Sequence, residues 1–309
     1  MQNIGMEKFE LTILGCGSAK PTLRHNPACQ ALTLRGRLYL IDCGEGAQQA
    51  AMRFQVPLSR LEAVFLSHLH GDHCLGLPGL LCTLSLHKRQ QPLDVYGPKG
   101  LEMWLRPTLN FYAGAIDYDV RLHELTAEGT CYEDSGLSVN NIALDHRVAC
   151  YGYVFTERQG LPHIRRDMID YLHIPFHAIR AIKEGAGWER PDGGGFVPHE
   201  RLVTPADAPR SYAYLSDTRP LPALADKIPP PTLLYHEATY TELHAADAAL
   251  RYHSTARGAA IVAQALCAQQ LLIGHFSSRY EKNEQPILDE ARALFPNTRL
   301  ANEGMRIAL

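Results

Sequence analysis

No stretch of about 20 consecutive apolar residues occurs in the chain, so the sequence offers no transmembrane helix. The opening MQNIGMEKFELTILG passes from a short polar start into a strand-like pattern. It lacks the charged region, apolar core and small-residue cleavage site of a signal peptide. Nor is there an excess of positive charge, since 30 Lys and Arg stand against 33 Asp and Glu. A nucleic-acid partner would have to be met by a local basic patch, because the chain as a whole supplies no attractive field. The eight cysteines (16, 29, 43, 74, 82, 131, 150 and 267) form no CxxC pair. Several lie in apolar patterns, as buried, reduced thiols of a cytosolic protein do, and a cytoplasmic location is expected. Internal repeats and low-complexity tracts are missing as well.

What is present is material for a large core. The 309 residues are 46% hydrophobic, which suits one large α/β domain or two smaller ones. Short strand patterns are expected at Phe9–Leu14, Ala31–Leu34, Leu38–Asp42 and Val64–Ser67, then at Val120–Glu124, Leu137–Leu144 and Tyr151–Thr156. A late set falls at Tyr212–Leu215, Thr232–Tyr235 and Leu271–Ile273, with short strands at the end of the chain. Helical periodicity marks Glu45–Phe54, Leu77–Leu86, Gly100–Tyr112 and the region of Ile287–Phe295. A further helix is expected over Thr255–Ala268 with Ser254 as its N-cap. Between Glu157 and Ala208 the alternation fails and Pro, Gly and basic residues accumulate. That composition suits an inserted arm, an extended excursion or a long surface connection.

One segment concentrates chemistry. Ser67-His68-Leu69-His70-Gly71-Asp72-His73 places four potential metal ligands within six positions, directly after the apolar run Leu61–Leu66. Alternate residues of an extended segment face the same way, so His68 and His70 can grip one ion. A turn at Gly71 lets Asp72 and His73 reach a second. His146, Asp217 and His275 each follow the end of a predicted strand, as His68 does. Residues at strand ends commonly build sites in layered α/β folds. Seven ligands suit two ions. His68, His70 and His146 would hold one, Asp72, His73 and His275 the other, and Asp217 would bridge them. Zn²⁺ accepts imidazole and carboxylate donors and brings the pKa of a bound water to about 7. Mn²⁺ or Fe²⁺ would accept the same donors. His236-Glu237-Ala238-Thr239 and His253-Ser254-Thr255 supply a further Glu and His. Chemistry alone leaves that pair open between a proton donor oriented by a carboxylate and a satisfied core contact.

These residues resemble the metallo-β-lactamase superfamily and, within it, the ribonuclease Z family of tRNA 3′-processing endonucleases. The likeness runs through LGCGSAKPTLRHN (14–26), IDCGEGAQ (41–48), SHLHGDH (67–73), LDH (144–146), SDT (216–218), HEAT (236–239), YHSTA (252–256) and IGHFSSRY (273–280). The HxHxDH pattern identifies only the superfamily, whereas HEAT, HST and HFSSRY together are specific for the tRNA enzymes. The resemblance implies a four-layer αβ/βα sandwich over residues 1–309, two zinc ions and phosphodiester hydrolysis. It implies that Asp72 accepts a proton as well as binding metal. It also implies that Glu237 and His253 protonate the leaving group. Residues 157–208 would be the tRNA-binding arm, carrying Arg165, Arg166, Arg180 and Lys183 but lacking the usual Gly-Pro pair at Ile174–Ile179. A homodimer acting on precursor tRNA, leaving a 3′-hydroxyl on the tRNA, is implied as well. Lys20, Arg24, Arg35, Arg37 and Arg147 are candidates for phosphate contacts. The competing reading is a small-molecule phosphodiesterase or another metal-dependent hydrolase of the superfamily. A non-catalytic tRNA- or metal-binding protein would not need the complete ligand set.

Overall fold

The computed structural model describes residues 9–111 and 116–309. The first sheet takes β1 (Phe9–Gly15), β2 (Cys29–Leu34), β3 (Arg37–Ile41), β4 (Leu61–Phe65), β5 (Leu93–Pro98) and β6 (Val120–Leu125). The second takes β7 (Gly129–Glu133), β8 (Leu137–Ala143), β9 (Tyr151–Glu157), β10 (Ser211–Leu215), β11 (Leu233–Glu237), β12 (Leu271–Gly274) and β13 (Thr298–Leu300). The last strand, β14 (Arg306–Ala308), returns to the first sheet beside β1. The orders are β14-β1-β2-β3-β4-β5-β6 and β13-β12-β11-β10-β9-β8-β7. Both sheets are mixed: β3 to β6 run parallel, as do β10 to β13, while β1 to β3 are antiparallel.

Alternation along the strands builds the layers. On β3, Tyr39 and Ile41 join a cluster that also holds Tyr153, Phe155, Tyr212 and Tyr214 of the second sheet. Leu38 and Leu40 turn the other way, into a second cluster with Ala47, Ala50, Leu80, Leu84, Leu101 and Leu105. Those residues come from helices Ala47–Arg53, Leu77–Leu86 and Leu101–Phe111. β4 is therefore covered on both faces, which is why it reads as a near-continuous apolar run rather than an alternating one. The rings of Phe65 and Phe155 meet edge to face at 5.2 Å across the inter-sheet layer. Ala256, Ala259, Ala260 and Ala263 of helix Ala256–Ala265 pack into the same cluster as the second sheet. The result is a helix–sheet–sheet–helix sandwich, the four-layer αβ/βα architecture.

Several elements depart from the sequence expectation. β5, β7 and helix Ala245–Arg251 carry no clear periodic signal and were not expected. The late helix is capped by Thr255, whose Oγ1 accepts from Gly258 N at 3.0 Å. Ser254 instead donates its Oγ to Thr218 O at 2.7 Å, so the cap expected there sits one residue later. The helix expected to reach Tyr112 extends over Leu101–Phe111, and Tyr112 lies outside the described residues. No helix among the described residues is long and apolar enough to cross a membrane.

Glu157–Arg210 forms a compact unit of its own. It contains helices Arg166–Leu172, Phe176–Lys183 and His199–Leu202, with two short antiparallel ladders. Leu172, Ile174, Ile182 and Leu202 are buried together, with Ile164, Trp188 and Val197 against them. Of the readings open for this segment, it takes the form of a small folded unit. Its helices span only 7, 8 and 4 residues and two of them start after a proline, too short for a helical period to stand out.

Candidate metal centre

Five loops deliver the chemistry, each leaving the C-terminal end of a strand of the sandwich. β4 leads into His68, His70, Asp72 and His73. β8, β10 and β12 lead into His146, Asp217 and His275, and β11 ends at Glu237 with Ala238 and Thr239 following. Two of the ligand residues turn in left-handed backbone, Asp217 at φ 55° and His275 at φ 60°, and Asp42 does the same after β3 at φ 57°. Such conformations at non-glycine residues persist where the surroundings over-determine them, as at functional sites. Two glycines allow the loops to close up. A Cβ on Gly76 would stand 2.1 Å from Gly44 O, and one on Gly44 2.4 Å from Asp72 O.

The loops bring together all seven residues that the sequence singled out. His68, His70, His146 and Asp217 form one group and Asp72, His73 and His275 another. In the first, His68 Nε2 lies 3.0 Å from His70 Nδ1, which is 3.3 Å from His146 Nε2. Asp217 Oδ2 stands 3.6 Å from His68 Nε2 and 3.9 Å from His146 Nε2. In the second, Asp72 Oδ2 is 3.5 Å from His73 Nε2 and 3.7 Å from His275 Nε2. The other oxygen of Asp217, Oδ1, lies 3.3 Å and 3.1 Å from those two nitrogens. Donors about 2.1 Å from one ion at tetrahedral angles stand roughly 3.4 Å apart. Both groups match that spacing, so the residues fit a pair of divalent ions sharing Asp217.

Hydrogen bonds fix the imidazole tautomers. Asp42, fully buried, accepts from His73 Nδ1 at 2.7 Å, Tyr214 Oη at 2.6 Å and Ser67 N at 2.7 Å. His275 Nδ1 donates to Thr239 Oγ1 at 2.8 Å, and His146 Nδ1 to Tyr252 O at 3.3 Å. His68 Nδ1 faces Ser67 Oγ at 3.0 Å. Each bond engages Nδ1 and turns Nε2 toward the centre, the arrangement that orients metal-binding histidines. Asp42, Tyr214 and Thr239 were not singled out from sequence. For Asp42 the signal was present, since it sits at a strand end in IDCGEG like the ligands themselves.

Burial and charge act against each other here. Burial would raise the Asp217 carboxyl, but His275, His73 and His68 hold it well below the ordinary range. Burial lowers His73, yet Asp217 and Asp42 outweigh it and hold the imidazole high. Asp72 is likewise held low against its burial by His275 and His73. Asp72 and Asp217 are ionised, and a cation entering would displace the extra proton of His73.

Glu237 and His253 meet beside this centre, with His253 Nδ1 donating to Glu237 Oε1 at 2.8 Å. Thr218 N and Thr239 Oγ1 also donate to Glu237. Burial pulls His253 down, but the Glu237 charge prevails and brings it up to about 9. His253 lines both the small pocket of the metal ligands and an adjoining cleft of about 570 Å³. Lys20 and Arg147 line that cleft, together with Arg251 and Arg279. The other basic candidates are engaged: Arg24 pairs with Glu284 at 2.9 Å, Arg37 with Asp134 at 2.6 Å, and Arg35 reaches Ser135 O at 3.4 Å.

The two mixed sheets and the strand-end ligands define a hydrolase of the metallo-β-lactamase fold. The metallo-β-lactamase fold protein YhfI of Bacillus subtilis superposes with a TM-score of 0.69 at 16% identity, covering 98% of this chain and 99% of that one. Human tRNase Z, short form, gives 0.70 at 25% identity, covering 97% and 98%. The ribonuclease Z of Bacteroides fragilis is 46% identical over 306 residues, 98% of this chain and all of that protein. A family profile described as Anti-Pycsar protein Apyc1 matches residues 9–147, less than half the chain. The chain belongs to the ribonuclease Z family.

Two predictions follow from this geometry. Asp42→Asn removes the charged acceptor of His73 Nδ1, so metal affinity should fall about 10- to 100-fold, read by competition with a chromogenic chelator. The second concerns the loop that donates Ala19 N to Asp72 Oδ2 at 2.8 Å. It is anchored by buried His25, 2.5 Å from Glu284 and 2.8 Å from Glu303. Burial pulls His25 down, but the two glutamates raise it from 6.5 to about 9. A raised folded-state pKa stabilises fully below about 6.5 and is lost as pH rises through about 9. Denaturation midpoints should therefore show His25→Gln most destabilised at pH 6, with the gap to wild type narrowing by pH 10.

Proposed function

We propose that this chain is a metal-dependent endoribonuclease that removes 3′ trailers from precursor tRNA in the cytoplasm, working as a homodimer. The observation that carries the reading is Asp217, one oxygen toward each histidine group, with the Glu237–His253 pair beside it. His68, His70, His146 and Asp217 would hold one ion, and Asp72, His73, His275 and Asp217 the other. The His and Asp donors favour zinc, and Mn²⁺ or Fe²⁺ would suit them too. When bound, such ions supply an activated water and neutralise charge on the transferring phosphoryl group.

The chain's own residues do the rest. Asp72, ionised and turned into the centre, accepts the proton of the attacking water. The new P–O bond forms as the bond to the 3′-oxygen breaks. His253 carries a proton at neutral pH, and Glu237 fixes its Nδ1, which leaves Nε2 to protonate the departing 3′-oxygen. The products are a tRNA with a 3′-hydroxyl and a trailer with a 5′-phosphate. Glu157–Arg210 is assigned to tRNA recognition. Arg165 and Arg180 form ion pairs there with exposed neighbours, Asp167 at 2.6 Å and Glu184 at 2.9 Å. Exposed pairs of this kind are worth little, so phosphates can displace them.

The test is to incubate metal-loaded protein with a precursor tRNA and map both new ends. One cut near the discriminator base, with a 3′-hydroxyl upstream, is expected; scattered cuts or none would contradict the reading. His253→Ala should slow single-turnover cleavage by about 10²- to 10⁴-fold with metal content unchanged. Replacing Leu161–Val203 by a short linker should spare hydrolysis of a small phosphodiester and sharply weaken precursor processing, because remote binding energy orients the scissile phosphate.

A further inference from the structure

We infer that Arg219 is a positioning residue that staples together the three loops carrying His146, Asp217 and His253. It follows Asp217 by two positions and reaches outward, with its side chain about 39% exposed. Its guanidinium lies over the ring of Tyr252, 3.7 Å from the centroid. The same group donates through Nη2 to Ala249 O at 2.9 Å, and Nη1 stands 3.5 Å from Asp145 Oδ2. Its backbone N–H donates to Asp145 O at 3.2 Å. One side chain therefore touches the residue before His146, the residue before His253, and the end of the helix that leads into it.

What it holds is not at rest by default. Tyr252 is a non-glycine residue in left-handed backbone, at φ 62°. A β-carbon disfavours that region, so the conformation needs support from its surroundings. Tyr252 in turn serves two groups of the centre. Its carbonyl accepts from His146 Nδ1 at 3.3 Å, which orients that ring. It also sets where the next residue, His253, leaves the chain, and His253 N is bonded back to Ala248 O at 2.9 Å. Ser254 Oγ closes the circuit on Thr218 O at 2.7 Å. A cation stacked on an aromatic face is attractive without needing a buried site, so an exposed arginine can perform this task. Arg219 reaches the reaction only through these neighbours.

The inference rests on reading His253 as the proton donor, and it separates two kinds of substrate. A 3′-oxygen leaving as an alkoxide needs a proton; a p-nitrophenolate does not. Displacing a catalytic group by about 1 Å can cost 10²-fold. Arg219→Gln should therefore lower kcat on precursor tRNA by about 10- to 100-fold with KM little changed. Turnover of bis(p-nitrophenyl) phosphate and metal content should fall far less than precursor cleavage, because His146, whose ring also leans on the Tyr252 carbonyl, is one ligand among seven. Hydrogen exchange should rise at the amides of residues 249–254, His253 N–H among them, and not in the strands. Tyr252→Leu should reproduce the loss and Tyr252→Phe, which keeps the ring, should restore it. The double variant Arg219→Gln/Tyr252→Leu should lose less than the two single losses combined, since both break the same stacking contact. Equal loss on both substrates together with lost metal would overturn the inference, as would unchanged turnover of precursor tRNA or exchange rising across the whole sandwich. A failure of the functional reading would appear in the wild type, as intact precursor tRNA. A dinucleotide phosphodiester, whose leaving group also needs a proton, would then take the place of tRNA in the same comparison.

Discussion

The Asp217 carboxylate is the constraint on which the site depends. Its two oxygens point to different histidine groups, at 3.1–3.3 Å for Oδ1 and 3.6–3.9 Å for Oδ2. Four imidazoles from two loops and a fifth from the loop after β12 can share one buried anion only if every loop leaves its strand at a fixed place. The parallel runs β3–β6 and β10–β13 supply that regularity, because they align strand ends along one edge of each sheet. The aromatic inter-sheet layer then holds the two edges together. Buried charges at this density are costly unless they are paired or bind metal, so the centre and the sandwich constrain each other.

Around that anion the structure separates orientation from chemistry. Asp42, Thr239 and the Tyr252 carbonyl each fix one nitrogen of a ring and leave the other for the centre. Glu237 does the same for His253, whose neighbours differ: it faces both the ligand pocket and the basic cleft. The proposed function would place recognition in a different part of the chain. Glu157–Arg210 has its own small core and contributes none of the ligand residues. Such a division lets a centre able to attack any phosphodiester be confined to one substrate by binding energy gained elsewhere.

Much of this was legible in the sequence, for identifiable reasons. His68, His70, Asp72 and His73 stand close together after an apolar run, and His146, Asp217 and His275 follow strand patterns of their own. Those strands alternate or run apolar because each face meets a layer, so their periodicity survives in one dimension. The orienting residues were harder to see. Asp42 and Thr239 differ from surface polar residues only in burial, which no spacing encodes, and Tyr252 acts through its backbone carbonyl. β7 is a half-exposed edge strand without a clean pattern. The helices of Glu157–Arg210 are too short to display a period. The Ser254 cap failed because two adjacent hydroxyl residues compete, and Ser254 is engaged by Thr218.

The central claim is that Asp217 joins two metal ions, and anomalous diffraction from crystals of the metal-loaded protein tests it most directly. The account predicts two peaks per chain on either side of the Asp217 carboxylate, about 3.5–4 Å apart. One should lie within about 2.0–2.2 Å of His68, His70 and His146, and the other within the same distance of Asp72, His73 and His275. Ions located elsewhere in the chain, or two ions with Asp217 turned away from both, would contradict it.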